Sequence, residues 1–140
     1  GVRLAGRFQA VGRDPLRLLD VAHNPHAARA LADSLADLPP TGRVHAVFGM
    51  LADKDIDGVV ATLAPYIQHW HIAPLSGPRA ADAERLAAPL RRLGLAHSPY
   101  EDIAEAWRAA CREAGAADTI IGFGSFHTVA GIMAELEQHG

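Results

Sequence analysis

The feature that most constrains this chain is an alternation of two hydrophobic periods. Short apolar runs at residues 18–21, 44–48, 68–72 and 119–123 are separated by segments in which apolar residues recur every three or four positions. After the first run, Ala27, Leu31, Leu35 and Leu38 share one helical face while Arg29, Asp33 and Asp37 take the other. Further helices are expected from about Ile56 to the Pro65 region, from about Arg79 with Pro89 disturbing its last turn, from Glu101 to Ala114, and from about Phe126 with Val129, Ile132, Met133 and Leu136 inward. Strands alternating with helices of this length predict an α/β fold, a mostly parallel sheet with helices on both faces. The breaks at 39–43 and 91–99 are ordinary connections inside such a domain.

At 140 residues the chain fits one domain, 1–140. A net charge of −3, with both signs mixed and no basic block, gives no electrostatic reason to recruit nucleic acid. No apolar run is long enough to span a bilayer, and the single cysteine, Cys111, cannot form an internal disulfide. A cytoplasmic location is expected. The chain opens at Gly1 without an initiator methionine, which fits a processed chain or an excised fragment.

In sheets of this kind ligands bind beyond the carboxyl ends of the strands. That rule selects the turns at 20–25, 49–55, 73–79 and 122–126. In the first, Pro25 suits the first helical position and Asn24 the cap before it. Asp20 extends an apolar run, where a carboxylate must either bind turn amides or contact a ligand, and His23 is a turn residue or a binding residue. In the second, Asp55 is a plausible helix cap, and Lys54 offers a positive charge to phosphate or is simply a surface lysine. In the last, Gly122 and Gly124 precede Ser125, which can cap a helix and leave amides facing an anion. No complete phosphate-binding glycine motif is present. Ser125 and His127 are too close in sequence to form a nucleophile and base pair, and Cys111 and Trp107 read as packing residues. Eight histidines include His23 and His26 at a helix start and His69 and His71 at strand alternation, but no metal-binding motif joins them. No metal site is expected within this domain.

Five stretches carry a family resemblance: GRFQ at 6–9, LDVAHNPHAA at 19–28, DKD at 53–55, PLSGPRA at 74–80 and GFGSFHTVA at 122–130. Together they resemble the C-terminal domain of folylpolyglutamate synthase, of the bacterial type that is also a dihydrofolate synthase, within the Mur ligase superfamily. The resemblance implies a three-layer Rossmann-like sheet of the Mur ligase C-terminal type. It also implies an ATP- and Mg2+-dependent ligase that phosphorylates a folate or dihydropteroate carboxylate and lets L-glutamate attack the acyl phosphate. The ATP-binding N-terminal domain of such an enzyme, with most of its magnesium ligands, lies outside these 140 residues, so this domain alone is expected to be inactive and the full enzyme to be a monomer. By the same resemblance Asp20 and His23 face nucleotide, Asn24 shapes their turn and Arg7 reaches phosphate from the domain junction. Lys54 and Asp55 order the closed cleft, and Arg79 and Ser125 contact glutamate or the cleft. Val21 stands where glycine is common in that family, and it suits an extended strand. Another Mur-type ligase, or a free-standing nucleotide-binding domain, is the alternative reading.

Overall fold

Among the described residues six strands form one sheet in the order β1-β2-β6-β3-β4-β5. They are β1 (Gln9–Gly12), β2 (Leu16–Leu19), β3 (Val44–Phe48), β4 (His69–Ile72), β5 (His97–Pro99) and β6 (Thr119–Phe123), and the helices between and after them are α1 (Pro25–Ala36), α2 (Ile56–Leu63), α3 (Ala83–Arg92), α4 (Ile103–Glu113) and α5 (Phe126–His139). The computed structural model describes residues 6–39 and 42–139. The break read at 39–43 therefore lies partly outside the described residues, as does the opening of the chain.

All neighbours in the sheet are parallel except β1, which pairs antiparallel with β2. Strand alternation sorts the side chains into two cores. Leu18, Ala46, Phe48, Trp70, Ile72, Ile121 and Phe123 face one side, with buried residues of α1, α2 and α3. Leu19, Val47 and Ile120 face the other, with Trp107 of α4 and Ile132 of α5. Trp70 stands edge-on to Phe48, ring centroids 5.3 Å apart at 80°. Each such large side chain contributes roughly 1.5–3 kcal/mol by leaving water. Every residue of β6 is buried, as expected of a strand flanked on both edges and covered on both faces.

The expected three-layer α/β architecture is the observed one, with differences that have local causes. The two edge strands, β1 and β5, contain no buried residue and so carry no apolar run to announce them. Helix α3 starts at Ala83 rather than near Arg79, because Asp82 in extended conformation accepts the Arg85 amide at 2.8 Å and caps it there. Pro89 sits buried inside α3, which nevertheless continues to Arg92. In α5 the buried positions are Thr128, Ile132 and Glu135, while Met133 is exposed. The Thr128 hydroxyl donates to the Gly49 carbonyl at 2.9 Å and Glu135 accepts from Arg108 at 2.9 Å. Two satisfied polar groups thus hold positions that a count of apolar residues gives to others. No helix among the described residues is long and apolar enough to cross a membrane.

Candidate functional site

Where β2 leaves the sheet, the Asp20 amide still donates to the Gly122 carbonyl at 2.9 Å, the last tie to β6. The Asp20 carboxylate turns inward. Its Oδ2 accepts from the Phe8 amide at 2.9 Å and its Oδ1 from the Ala22 amide at 2.8 Å. One carboxylate thereby ties the turn before β1 to the end of β2, and Phe8 holds φ of 43°, a left-handed conformation unusual for a non-glycine residue. Burial pushes the Asp20 carboxyl above the usual carboxylate range, against the pull of the Ala22 and Phe8 amides and of Arg7. Two residues on, His23 Nδ1 lies 2.9 Å from the Val21 carbonyl oxygen. A carbonyl only accepts, so the ring proton belongs on Nδ1 and Nε2 keeps its lone pair. Asn24 is the cap of α1: its Oδ1 accepts from the Ala27 amide at 2.8 Å.

The end of β6 comes against the end of β3. Gly124 has φ of +122°, and a Cβ there would stand 2.1 Å from the Gly49 carbonyl oxygen, so only glycine allows this approach. Ser125, buried next to it, accepts the His127 amide on Oγ at 3.0 Å and the Val129 amide on its carbonyl at 3.3 Å. After β3, Asp55 caps α2 by accepting the Gly58 amide at 2.9 Å. Arg79 braces the same loop: its carbonyl accepts the Ala52 amide at 2.8 Å, and its guanidinium lies 3.5 Å from Asp53 with both side chains exposed.

Among the cavities at these strand ends, two share His23 and Phe126. One, about 360 Å3, is lined by Arg7, Asp20, His23, His26, Ser34 and Phe126, among others. The second, about 250 Å3, is lined by His23, Leu51, Lys54, Ser125, Phe126 and His127, with Gly124 at its wall. His23 and Phe126 belong to both, their rings 6.0 Å apart. The structure therefore gathers Arg7, Asp20, His23, Lys54 and Ser125 around one mouth. Asn24, Asp55 and Arg79 line neither cavity; two are helix caps and the third makes an ion pair. Phe126, 65% exposed at the start of α5, lines both cavities and was not singled out as a site residue from the sequence. An exposed aromatic beside a cation and a glycine turn is a retrospective signal. A larger cavity of about 420 Å3 lies elsewhere, lined by Arg17, Trp107, Arg108, Cys111 and Glu135 among others, away from the strand ends that carry these turns.

The mouth offers imidazole, ammonium, guanidinium, hydroxyl and amide groups beside an exposed ring. That set suits an anionic ligand with a flat apolar part. The carboxylate among the lining residues, Asp20, is held by two backbone amides, and Ser125 is engaged as a cap, so neither is poised as a nucleophile.

The expectation that this domain contains no metal site is corrected by a different part of the molecule. His69, His71 and Glu113 each place a ligand atom within 4.8 Å of the others. Strand alternation puts both histidines on one face of β4, and Glu113 arrives from the end of α4, so three ligands that share no local sequence motif meet in space.

The sequence of residues 6–126 matches the family model described as Mur ligase, glutamate ligase domain. This chain belongs to that family. It is 49% identical over 134 residues to the dihydrofolate synthase/folylpolyglutamate synthase of Escherichia coli (strain K12), covering 96% of this chain and 31% of the relative. A solved bifunctional folylpolyglutamate synthase/dihydrofolate synthase with Mn, AMPPNP and L-glutamate bound superposes with a TM-score of 0.90 at 49% identity, covering 96% of this chain and 32% of that one. The Mycobacterium tuberculosis folylpolyglutamate synthase complexed with ADP gives 0.83 at 30% identity, covering 99% and 33%. The chain thus spans about a third of the length of these relatives.

Proposed function

We propose that this chain is the nucleotide-facing domain of a longer ATP-dependent ligase that joins L-glutamate to folate or dihydropteroate through an acyl phosphate. The observation that carries this reading is the mouth shared by His23 and Phe126, with Lys54, Ser125 and Arg7 around it, at the carboxyl ends of β2, β6 and β3. Support comes from the names of the relatives and from the ADP, AMPPNP and L-glutamate bound in their structures.

A carboxylate resists attack by an amine until it is phosphorylated, and the acyl phosphate must then be kept from water. In this reading Lys54 and Arg7 place positive charge near phosphate oxygens, and His23, its proton fixed on Nδ1, offers Nε2 as an acceptor beside the exposed Phe126 ring. The Asp20 carboxylate holds the turn that positions His23. Arg79, with Asp53, orders the loop carrying Lys54, and Asp55 and Asn24 set the helix starts beneath. Closure over the rest of the enzyme, an ATP-binding domain with the acceptor pocket, excludes water. Magnesium supplies charge neutralisation for phosphoryl transfer when bound. The donor set at this mouth does not fit it, since its carboxylate is already taken by two amides, and no step here runs through it. A single-chain monomer working in the cytoplasm, where ATP and glutamate are at hand, completes the proposal.

Steady-state kinetics of the full-length enzyme test it. His23→Ala and Lys54→Ala are expected each to raise KM for ATP about tenfold or more, with the value for glutamate little changed. ATP parameters unchanged in both variants would sink the reading.

A further inference from the structure

At the amino end of the sheet, on the face covered by α4 and α5, lies a polar cluster that the nucleotide reading does not use. His69 and His71 stand side by side on β4, ring centroids 4.5 Å apart, and His45 on β3 stacks on His71 at 5.4 Å. A ligating histidine needs one nitrogen free and the other held by a partner that fixes its proton. Here a relay supplies this. His45 Nε2 is buried without a well-aligned hydrogen bond, and the Asp118 carboxylate 3.4 Å away draws its proton there. His45 Nδ1 is then an acceptor, and His71 Nε2, 3.2 Å from it, donates. His71 Nδ1 keeps its lone pair. It faces the Tyr100 hydroxyl at 3.2 Å, and that hydroxyl is 3.5 Å from Glu113 Oε2. Ser98 Oγ, 2.9 Å from His69 Nε2, fixes the third ring.

We infer that His69, His71 and Glu113 form a binding site for one divalent transition-metal ion of the zinc class, with a fourth position left to water or the Tyr100 hydroxyl. Two imidazoles and one carboxylate are the donors such an ion takes, whereas magnesium prefers oxygen ligands throughout. Bonds of roughly 2.0–2.1 Å put tetrahedral ligand atoms about 3.3 Å apart, so the set must close from its present spread of up to 4.8 Å. Glu113, exposed at the last residue of α4, has the freedom to do so. The ion ties α4 to β4 at the end of the strands opposite the nucleotide mouth.

The test uses the full-length protein, stripped with a chelator and held in excess Mg2+ to occupy oxygen-ligand sites. Calorimetry with Zn2+ alone and visible absorption with Co2+ are expected to show one equivalent per chain in a tetrahedral environment. Both His71→Ala and Glu113→Gln weaken that equivalent at least about tenfold. His71 is buried and its variant can fail to fold, but Glu113→Gln keeps size and exposure, and its metal-free melting temperature stays at the parent value. Absence of a bound equivalent, or an affinity unchanged in Glu113→Gln, overturns the inference.

Discussion

Asp20 and Asp118 do the same job at opposite ends of the sheet, and they do it under opposite conditions. Each accepts two backbone amides from separate segments: Phe8 and Ala22 for Asp20, Arg43 and Gly115 for Asp118. Asp20 is 8% exposed and burial pushes its carboxyl up; Asp118 stands nearer solvent, and the Arg43 and Gly115 amides hold its carboxyl down. The same hydrogen bonds therefore produce a strained charge at the ligand end and a relaxed one at the other. What differs is the room given to water. At the carboxyl end backbone comes against backbone, as where Gly124 meets Gly49, and the turns so ordered face a ligand mouth. Toward the amino end, the part of the sheet formed by β3, β4 and β5 carries side chains that bond to one another, His45 to His71, His71 to Tyr100 and Tyr100 to Glu113.

The sharpest way to break the first half of that comparison is Gly124→Ala. Its Cβ would meet the Gly49 carbonyl at 2.1 Å in a backbone conformation that L residues avoid, so a loss of about 3 kcal/mol or more is expected in urea melts of the full-length protein. Next comes the pair itself. Asp20→Ala removes the carboxylate that accepts from the Ala22 and Phe8 amides, the first of these bonds buried, and is expected to cost about 2–4 kcal/mol, against about 1–2 kcal/mol for Asp118→Ala. Equal losses would show that burial does not separate the two.

The pH dependence sharpens the same contrast. A carboxyl raised in the folded state favours folding more when protonated, so its contribution declines as pH rises from about 4 toward its folded value. A carboxyl lowered in the folded state contributes above about 4 and loses that contribution as pH falls through its folded value. The advantage of the parent over Asp118→Asn is thus expected to shrink on acidification while its advantage over Asp20→Asn does not; melts at a series of pH values decide. The smallest effect belongs to Arg79→Ala. Its pair with Asp53 is exposed on both sides and worth at most about 1 kcal/mol.

Much of this was legible in the residues, for identifiable reasons. The runs at 44–48 and 119–123 are central strands, and burial on both faces makes them continuous in sequence. Asn24-Pro25 and Asp55 announced helix starts because capping is a local interaction. Edge strands β1 and β5 were not legible, since no residue of either is buried and an apolar run therefore has no reason to form there. Asp20 stood out as a carboxylate in an apolar run that would bind turn amides or a ligand, and the Ala22 amide is such a partner; the Phe8 amide, twelve residues upstream, was beyond reading. The histidine cluster was missed for the same reason: His45, His71, Tyr100, Glu113 and Asp118 come from five separate segments, and only the sheet register and the packing of α4 bring them together.

The central claim is that the carboxyl end of this sheet, not its amino end, faces the nucleotide. Hydrogen exchange of the full-length protein with and without AMPPNP tests it directly. The account predicts added protection in peptides covering residues 20–27, 49–55 and 122–128, with those covering 43–46 and 113–119 unchanged. Protection confined to the amino-end peptides, or none in the three turns at saturating nucleotide, would contradict it.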